Sequence, residues 1–278
     1  EYDGYPFTDC IIRNCRMYGS IDSAVYTSGS TNAHGVMVEG NYIEQPRNYS
    51  RRGTNAWSPA SGIHFNSGQR PVIRNNTVRG YSVGVNLVST TDLYGPQVIG
   101  NVLEFQTNHW TLGAGYGIYA GDSIAATHRI FNAHIANNLI REASGKAMYF
   151  FGLADSIIQN NYMSEPVAAG GADAVHFQDA GGATANSNIL VVGNTIIDRG
   201  TVDADSGFWI DNALARSIRF VDNIVQGPAT LYNNSAGTNV SIIMPGTDVR
   251  VTTATCEWLR CTQRTATHRP SPPRHCSA

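Results

Sequence analysis

Lysine is almost missing from this chain: of nineteen basic residues only Lys146 is not arginine, and charged residues make up 14% of the 278. A GC-rich genome is the plain explanation of that bias. With a net charge of −2, no global field recruits nucleic acid, so any cationic surface is local. No run of eighteen apolar residues occurs, so no membrane-spanning helix is predicted. A Ser-His-Asp order, a Cys-His pair at zinc spacing and a phosphate loop are all lacking. The glycine-rich stretch 113–117 leads into a strand and not a helix, which speaks against a nucleotide site. Cysteine is sparse, at five. Cys10 and Cys15 read as buried thiols, while Cys256, Cys261 and Cys276 allow one disulfide and one leftover thiol. No signal peptide is visible and the chain starts at Glu1, as expected of a mature or trimmed form.

What is present is a repeat. An apolar residue, any residue, Asn/Gly/Asp, Asn or Cys, any residue and an apolar residue recur eight times, at spacings of 23 to 37 residues. The fourth position falls at Cys15, Asn41, Asn76, Asn101, Asn138, Asn161, Asn194 and Asn223. Self-similarity at such a period marks a solenoid, and no helical period accounts for it. Asn or Gly between two short strands tolerates the left-handed backbone of a sharp bend. Asn stacked on Asn passes hydrogen bonds from amide to amide. The expected fold is all-β: a single parallel β-solenoid of about eight rungs with an Asn ladder, the rungs about 4.8 Å apart. The 28 glycines suit it.

These repeats resemble those of the right-handed parallel β-helix proteins, the pectate-lyase-like superfamily, over residues 10–234. Residues 1–247 are then one β-helix domain, and 248–278, where the pattern fails and proline accumulates, an irregular C-terminal tail. Residues 1–9 offer no amphipathic helix to cover the first rung. Its exposed edge implies either a fragment or an oligomer in which another subunit covers that end.

A second element also appears once per rung, as in Ala24-Val25-Tyr26, Gly62-Ile63-His64, Ala174-Val175-His176 and Gly207-Phe208-Trp209. Strand side chains alternate. If the middle residues point inward, the third ones form an outward column: Tyr26, His64, Asn86, Tyr119, Tyr149, His176, Trp209 and Tyr232. An outward column of Gly and Ala would flank it on one side. On the other would stand Ser28, Asn66, Val88, Gly121, Phe151, Gln178, Asp211 and Asn234. Rings beside small residues make a floor on which sugar faces pack, with Asn, Gln, Asp and His for the hydroxyls. The bland alternative is that aromatic residues simply favour strands. Long inserts, among them 44–60 and 121–133, flank the column and would wall it.

The resemblance places a substrate cleft on the strand that precedes the first turn, which here is the ring-bearing one. Tyr149, His176 and Asp211 lie on successive rungs, with Gln178 beside them and Lys146 at the start of the Tyr149 strand. Tyr149 and His176 are the candidates for proton transfer, with Asp211 or Gln178 orienting His176. A tyrosine or histidine removes a proton next to a uronate carboxylate, a second group protonates the leaving oxygen, and a cation or amide stabilises the enolate-like intermediate. The reaction expected is β-elimination. Lys146 completes the catalytic candidates, and His64, Asn66, Asn86, Tyr119, Gln178 and Trp209 are the candidate substrate-binding residues, with Arg51 and Arg52 gripping a uronate carboxylate.

Two alternatives stay open. Hydrolysis wants two carboxylates across the groove, and Asp211 has Asp173, Asp179 and Asp205 as possible partners. A non-catalytic carbohydrate-binding segment, as in a tailspike or adhesin, needs no such pair. The adjacent Asp-Asp pair and Gly-His-Gly of polygalacturonases are lacking, as is the Asp-Pro-His-Asp of mannuronan epimerases. The partner expected is a polysaccharide, with no nucleic acid and no membrane. No cofactor is expected; Ca²⁺ near Asp203 and Asp205 lacks the spacing of a loop site. The location expected is secreted or cell-surface.

Overall fold

A computed structural model describes residues 8–20, 23–27, 33–45, 61–66, 68–88, 91–104, 115–121, 128–165, 173–178, 185–198, 206–211, 215–228 and 230–234. Among these residues there is no helix. Every strand pairing is parallel, and the strands form three sheets in which rung n bonds to rungs n−1 and n+1. The first sheet runs from Ile11–Arg13 to Arg216–Val221, the second from Arg16–Tyr18 to Ile224–Gln226, and the third from Ser23–Thr27 to Thr230–Asn234. Eight rungs of one continuous parallel β-helix result.

The bend between the first and second sheets is the Asn turn. Asn14, Gly40, Asn75, Gly100, Asn137, Asn160, Gly193 and Asp222 all adopt left-handed backbone, with φ between 50° and 66°. The next residue is the ladder. Asn138 Nδ2 donates to Val98 O (2.8 Å) and Asn161 Oδ1 (2.9 Å), while its own Oδ1 accepts from Asn101 N and Nδ2, both at 3.0 Å. The pattern runs from Asn41 to Asn223, and Cys15 N closes it on Asn41 Oδ1 at 2.9 Å. Cys15 does occupy the ladder position. Both Cys15 and Cys10 are nevertheless exposed free thiols rather than buried ones, because among the described residues the first rung is bonded on one side only.

A second left-handed column climbs the first sheet: Asp9, Gly35, Arg70, Gly95 and Asn132 stand two residues before their strands, and on the last three rungs Asp155, Asn188 and Ser217 lie within longer ones. Short segments upstream of it continue the parallel pairing: Leu93–Tyr94 with Ile130–Phe131, and Ile130–Phe131 with Leu153 and Ala154.

Inward aliphatics fill the coil. Ile73, Val98, Ile135 and Ile158 stack in the first sheet, Ile43, Val78, Leu103 and Ile140 in the second, and Ile63, Val85, Ile118 and Met148 in the third; all are fully buried. Each such side chain contributes about 1.5–3 kcal/mol over leaving it exposed.

Two expectations about the third sheet need correcting. The small residues before the triplets' middle positions face the core, not solvent. A Cβ on Gly62 would lie 2.2 Å from Val78 Cγ1, one on Gly117 would lie 2.6 Å from Ile140 Cγ2, and Ala147 and Ala174 belong to the core cluster. Two successive residues point inward at this bend, so the outward neighbours of the rings stand three residues upstream: Ser61, Val83, Tyr116, Lys146, Asp173 and Ser206. In the last rung, Tyr232 pairs with Phe208 and Asn233 with Trp209. Tyr232 therefore packs against the core at Phe220, ring centroids 5.5 Å apart, and Asn233 ends the outward column.

Candidate functional site

The outer face of the third sheet brings Tyr26, His64, Asn86, Tyr119, Tyr149, His176 and Trp209 into one register-aligned column. Its rings touch in sequence. Tyr119 meets Tyr149 edge-on at 5.5 Å, Tyr149 meets His176 at 5.0 Å, and His176 stacks on Trp209 at 4.2 Å. At the other end Tyr26 meets His64 at 4.9 Å. Asn86 interrupts the rings and donates to Ser61 Oγ at 3.2 Å.

This face is not the open floor that alternation implied. Val83, Tyr116, Tyr119 and Phe151 form a second buried apolar cluster outside the coil, with Tyr149 packed against it. His64 is 5% exposed, His176 2%, Asn86 not at all. Tyr149 and Trp209 remain half-buried.

The polar centre gathers around Asp173. Its carboxylate lies 3.5 Å from Lys146 Nζ and 3.6 Å from His176 Nδ1, and the Ser206 hydroxyl donates to its other oxygen. Lys146 Nζ lies 5.5 Å from the Tyr149 ring centroid and 5.9 Å from that of Trp209, a cation–π arrangement on both sides. Lys146, Asp173 and Ser206 form one column over three rungs; Tyr149, His176 and Trp209 form the next.

Burial removes water from the imidazole of His176 and pushes its pKa down to about 3, helped by the Lys146 charge. It is therefore a neutral ring at pH 7, and neither of its nitrogens has a hydrogen-bond partner among the described residues. Desolvation, and then the neighbouring Tyr116, Tyr119, Asp211 and Asp173, raise the Tyr149 hydroxyl well above the ordinary tyrosine value, so it holds its proton. Burial lowers His64 to about 4, partly offset by the main chain at Val88.

Of the sequence candidates, the structure brings Lys146, Tyr149, His176 and Trp209 together. Gln178 and Asp211 pair with each other in register, in the column that begins at Phe151. Since His176 accepts from and donates to neither, the carboxylate beside it is Asp173, not Asp211. Asp173 and Ser206 were not selected in that role from the sequence. The usable signal was the Asp-x-x-His spacing, which places both side chains outward once two intervening residues turn in. His64, Asn66, Asn86 and Tyr119 line the N-terminal part of the column, where Asn66 Nδ2 donates to the Tyr26 hydroxyl at 3.3 Å. Arg51, Arg52, Asp179, Asp203 and Asp205 lie outside the described residues, as do residues 1–7 and the tail. Among the described residues no cluster of three His, Cys, Asp or Glu stands at metal-binding distance.

No protein-family model matches the sequence, and no curated protein does. Solved structures do. A mutant of the tailspike protein of E. coli bacteriophage HK620 superposes with a TM-score of 0.51 at 13% identity, covering 85% of this chain and 52% of the tailspike. The Streptococcus pneumoniae surface protein and adhesin PfbA gives 0.46 at 10% identity, covering 86% and 67%. A mutant DFA-IIIase from Arthrobacter chlorophenolicus A6, in complex with DFA-III, gives 0.44 at 12%, covering 81% and 65%. The chain spans about half the length of the tailspike. Likeness at this identity speaks to architecture alone, and in architecture the chain is a right-handed parallel β-helix protein.

Proposed function

We propose that this chain is a polysaccharide-active enzyme of the cell exterior that cleaves a uronic-acid-containing polymer by β-elimination. The observation that carries the reading is a neutral imidazole, His176, held between the Tyr149 and Trp209 rings with the Lys146–Asp173 pair at its edge.

Asp173 beside Nδ1 favours the tautomer protonated there and leaves Nε2 as the proton acceptor; Nε2 is buried at rest, so substrate reaches it by displacing a neighbouring ring. In the reaction Nε2 takes the proton α to the uronate carboxylate. The resulting enolate is balanced by Lys146, the double bond forms as the glycosidic oxygen departs, and the Tyr149 hydroxyl donates its proton to that oxygen. At rest Tyr149 holds a proton to give and His176 is in the form that takes one, and the negative charge of the incoming uronate raises the imidazole from its low resting value toward that of a working base. Hydrolysis needs two carboxylates with room for water. Here Asp173 is engaged by Lys146 and Ser206, which favours elimination.

A second reading, carbohydrate binding without turnover, draws on the burial of His64 and His176. A panel of polyuronates and neutral glycans separates the two. Ultraviolet absorbance from a new carbon–carbon double bond is the expected result. New reducing ends without that absorbance mean hydrolysis, and retention of a glycan with neither signal means binding only.

A further inference from the structure

The first sheet carries a feature that the third-sheet site does not use. At its left-handed bend, over the third to fifth rungs, lies a cleft of about 430 Å³ lined by Gln69, Arg70, Tyr94, Gly95 and Asn132. We propose that this cleft is a second saccharide site, and that it takes a carboxylated sugar unit.

Arg70 is the first ground. Of the eight residues in that left-handed column it is the only cation, at φ 52° where the other seven rungs use Gly, Asn, Asp or Ser. A long side chain meets a steric cost in this conformation that Gly, Asn and Asp largely escape, so its presence there calls for a use. Gly95 on the next rung covers only the Arg70 stem: a Cβ there would lie 3.5 Å from Arg70 Cγ. Arg70 as a residue is exposed.

Charge pairing is the second. Three other arginines of the coil are matched: Arg74 with Glu39 at 2.8 Å, Arg79 and Arg141 with Glu104 at 3.3 and 3.2 Å. Arg70 has no such carboxylate among the described residues. Two negative groups near the cleft are already engaged: Asp92 accepts from the Arg129 main chain (2.9 Å) and the Tyr94 hydroxyl (3.4 Å), and Asp155, one rung beyond Asn132, accepts from Asn188 Nδ2 at 2.7 Å.

The third ground is a ring platform. Tyr94 is 42% exposed and is braced by Phe131, stacked at 5.1 Å with an interplanar angle of 11°. An exposed ring held rigid packs the C–H face of a sugar at little entropic cost. The Arg70 fork meets a carboxylate with two hydrogen bonds, and the Gln69 and Asn132 amides suit hydroxyls. Arg70 and Asn132 are two rungs apart, about 10 Å along the axis. The cleft is on a different sheet from His176, so the inference does not rest on turnover there.

The test is a titration of the isotopically labelled full chain, carrying His176→Ala to silence the other face, with sodium glucuronate, glucose and sodium acetate in turn. Glucuronate should shift the Gly95 and Asn132 amide resonances saturably, with glucose and acetate each at least about tenfold weaker. Arg70→Asn keeps the bend, since Asn132 holds the same position two rungs on. It should melt no lower than its parent and lose about tenfold or more in glucuronate affinity. Tyr94→Ala should weaken glucuronate and glucose alike. No saturable shift at these amides, acetate bound as tightly as glucuronate, or an unchanged affinity in Arg70→Asn would each overturn the proposal.

Discussion

The Asn turn and the outer face of the third sheet are both columns that climb the same eight rungs, yet they are built on opposite rules. In the turn the same side chain returns on seven rungs, and each interior amide spends its donors and its acceptor on its neighbours. On the outer face the residue changes at almost every rung, and the buried ring nitrogens of His176 have no hydrogen-bond partner among the described residues. Buried polar groups are normally satisfied, and leaving one unsatisfied costs about 1–3 kcal/mol. The turn is therefore where the chain gains stability, and the outer face is where it gives some up. Such sacrifice concentrates at functional sites.

The sharpest way to break the turn is Asn138→Leu. It removes the two bonds Asn138 Nδ2 donates and the two its Oδ1 accepts, and strands main-chain and amide groups in the buried bend. A loss of about 4 kcal/mol in unfolding free energy is expected by denaturant titration. A loss under about 1 kcal/mol would mean that the ladder is decoration on a coil held by its aliphatics.

The opposite outcome is expected at His176. Replacing it with Phe keeps a ring between Tyr149 and Trp209 and removes two unpaired nitrogens, so stability should stay level or rise. Turnover on a polyuronate should fall by about two to four orders of magnitude, the usual worth of a general acid or base. A variant that loses stability and keeps activity would reverse the assignment of the two columns.

Acid sharpens the contrast further. His64 and His176 are held at about 4 and about 3, below the 6.5 of the unfolded chain. Between those values and 6.5 the unfolded state binds protons that the folded state refuses. Stability is thus full above pH 6.5 and falls as pH drops, by about 1.4 kcal/mol per pH unit for each histidine. The double variant His64→Phe, His176→Phe should flatten that slope in denaturation curves measured from pH 7 to 5. The ladder amides, which do not titrate, contribute nothing to it.

The same contrast explains what the sequence discloses. Eight near-identical Asn turns are legible because one conformation and one hydrogen-bond pattern admit few residues. With them come the rung count, the aliphatic core and the ring column from Tyr26 to Trp209. The second left-handed column is just as regular in backbone, but Gly, Asn, Asp, Ser and even Arg70 stand in it, so no residue pattern reveals it. The outer face was half legible. Strict alternation set Gly62 and its equivalents outward, whereas two consecutive residues turn in at that bend, and this hid Asp173 and Ser206 behind a three-residue step. Tyr232 was displaced by the same kind of one-residue slip.

Trp209 supplies the finest test. It stacks on His176 at 4.2 Å, and its half-buried ring faces Lys146 from 5.9 Å, so it serves both as a wall that dries the imidazole and as a surface for a sugar. Trp209→Ala should weaken polysaccharide binding about tenfold, the worth of one stacked ring. It should also readmit water to His176. Because desolvation is the larger cause of the lowered value and Lys146 the lesser, the imidazole should then titrate at least about one unit higher. The acid limb of the turnover profile should move up with it. Ring-proton NMR of His176 reads the shift directly. A pKa that stays near 3 in Trp209→Ala would mean that Lys146, not burial, keeps the imidazole neutral, and Lys146→Met would then raise it instead.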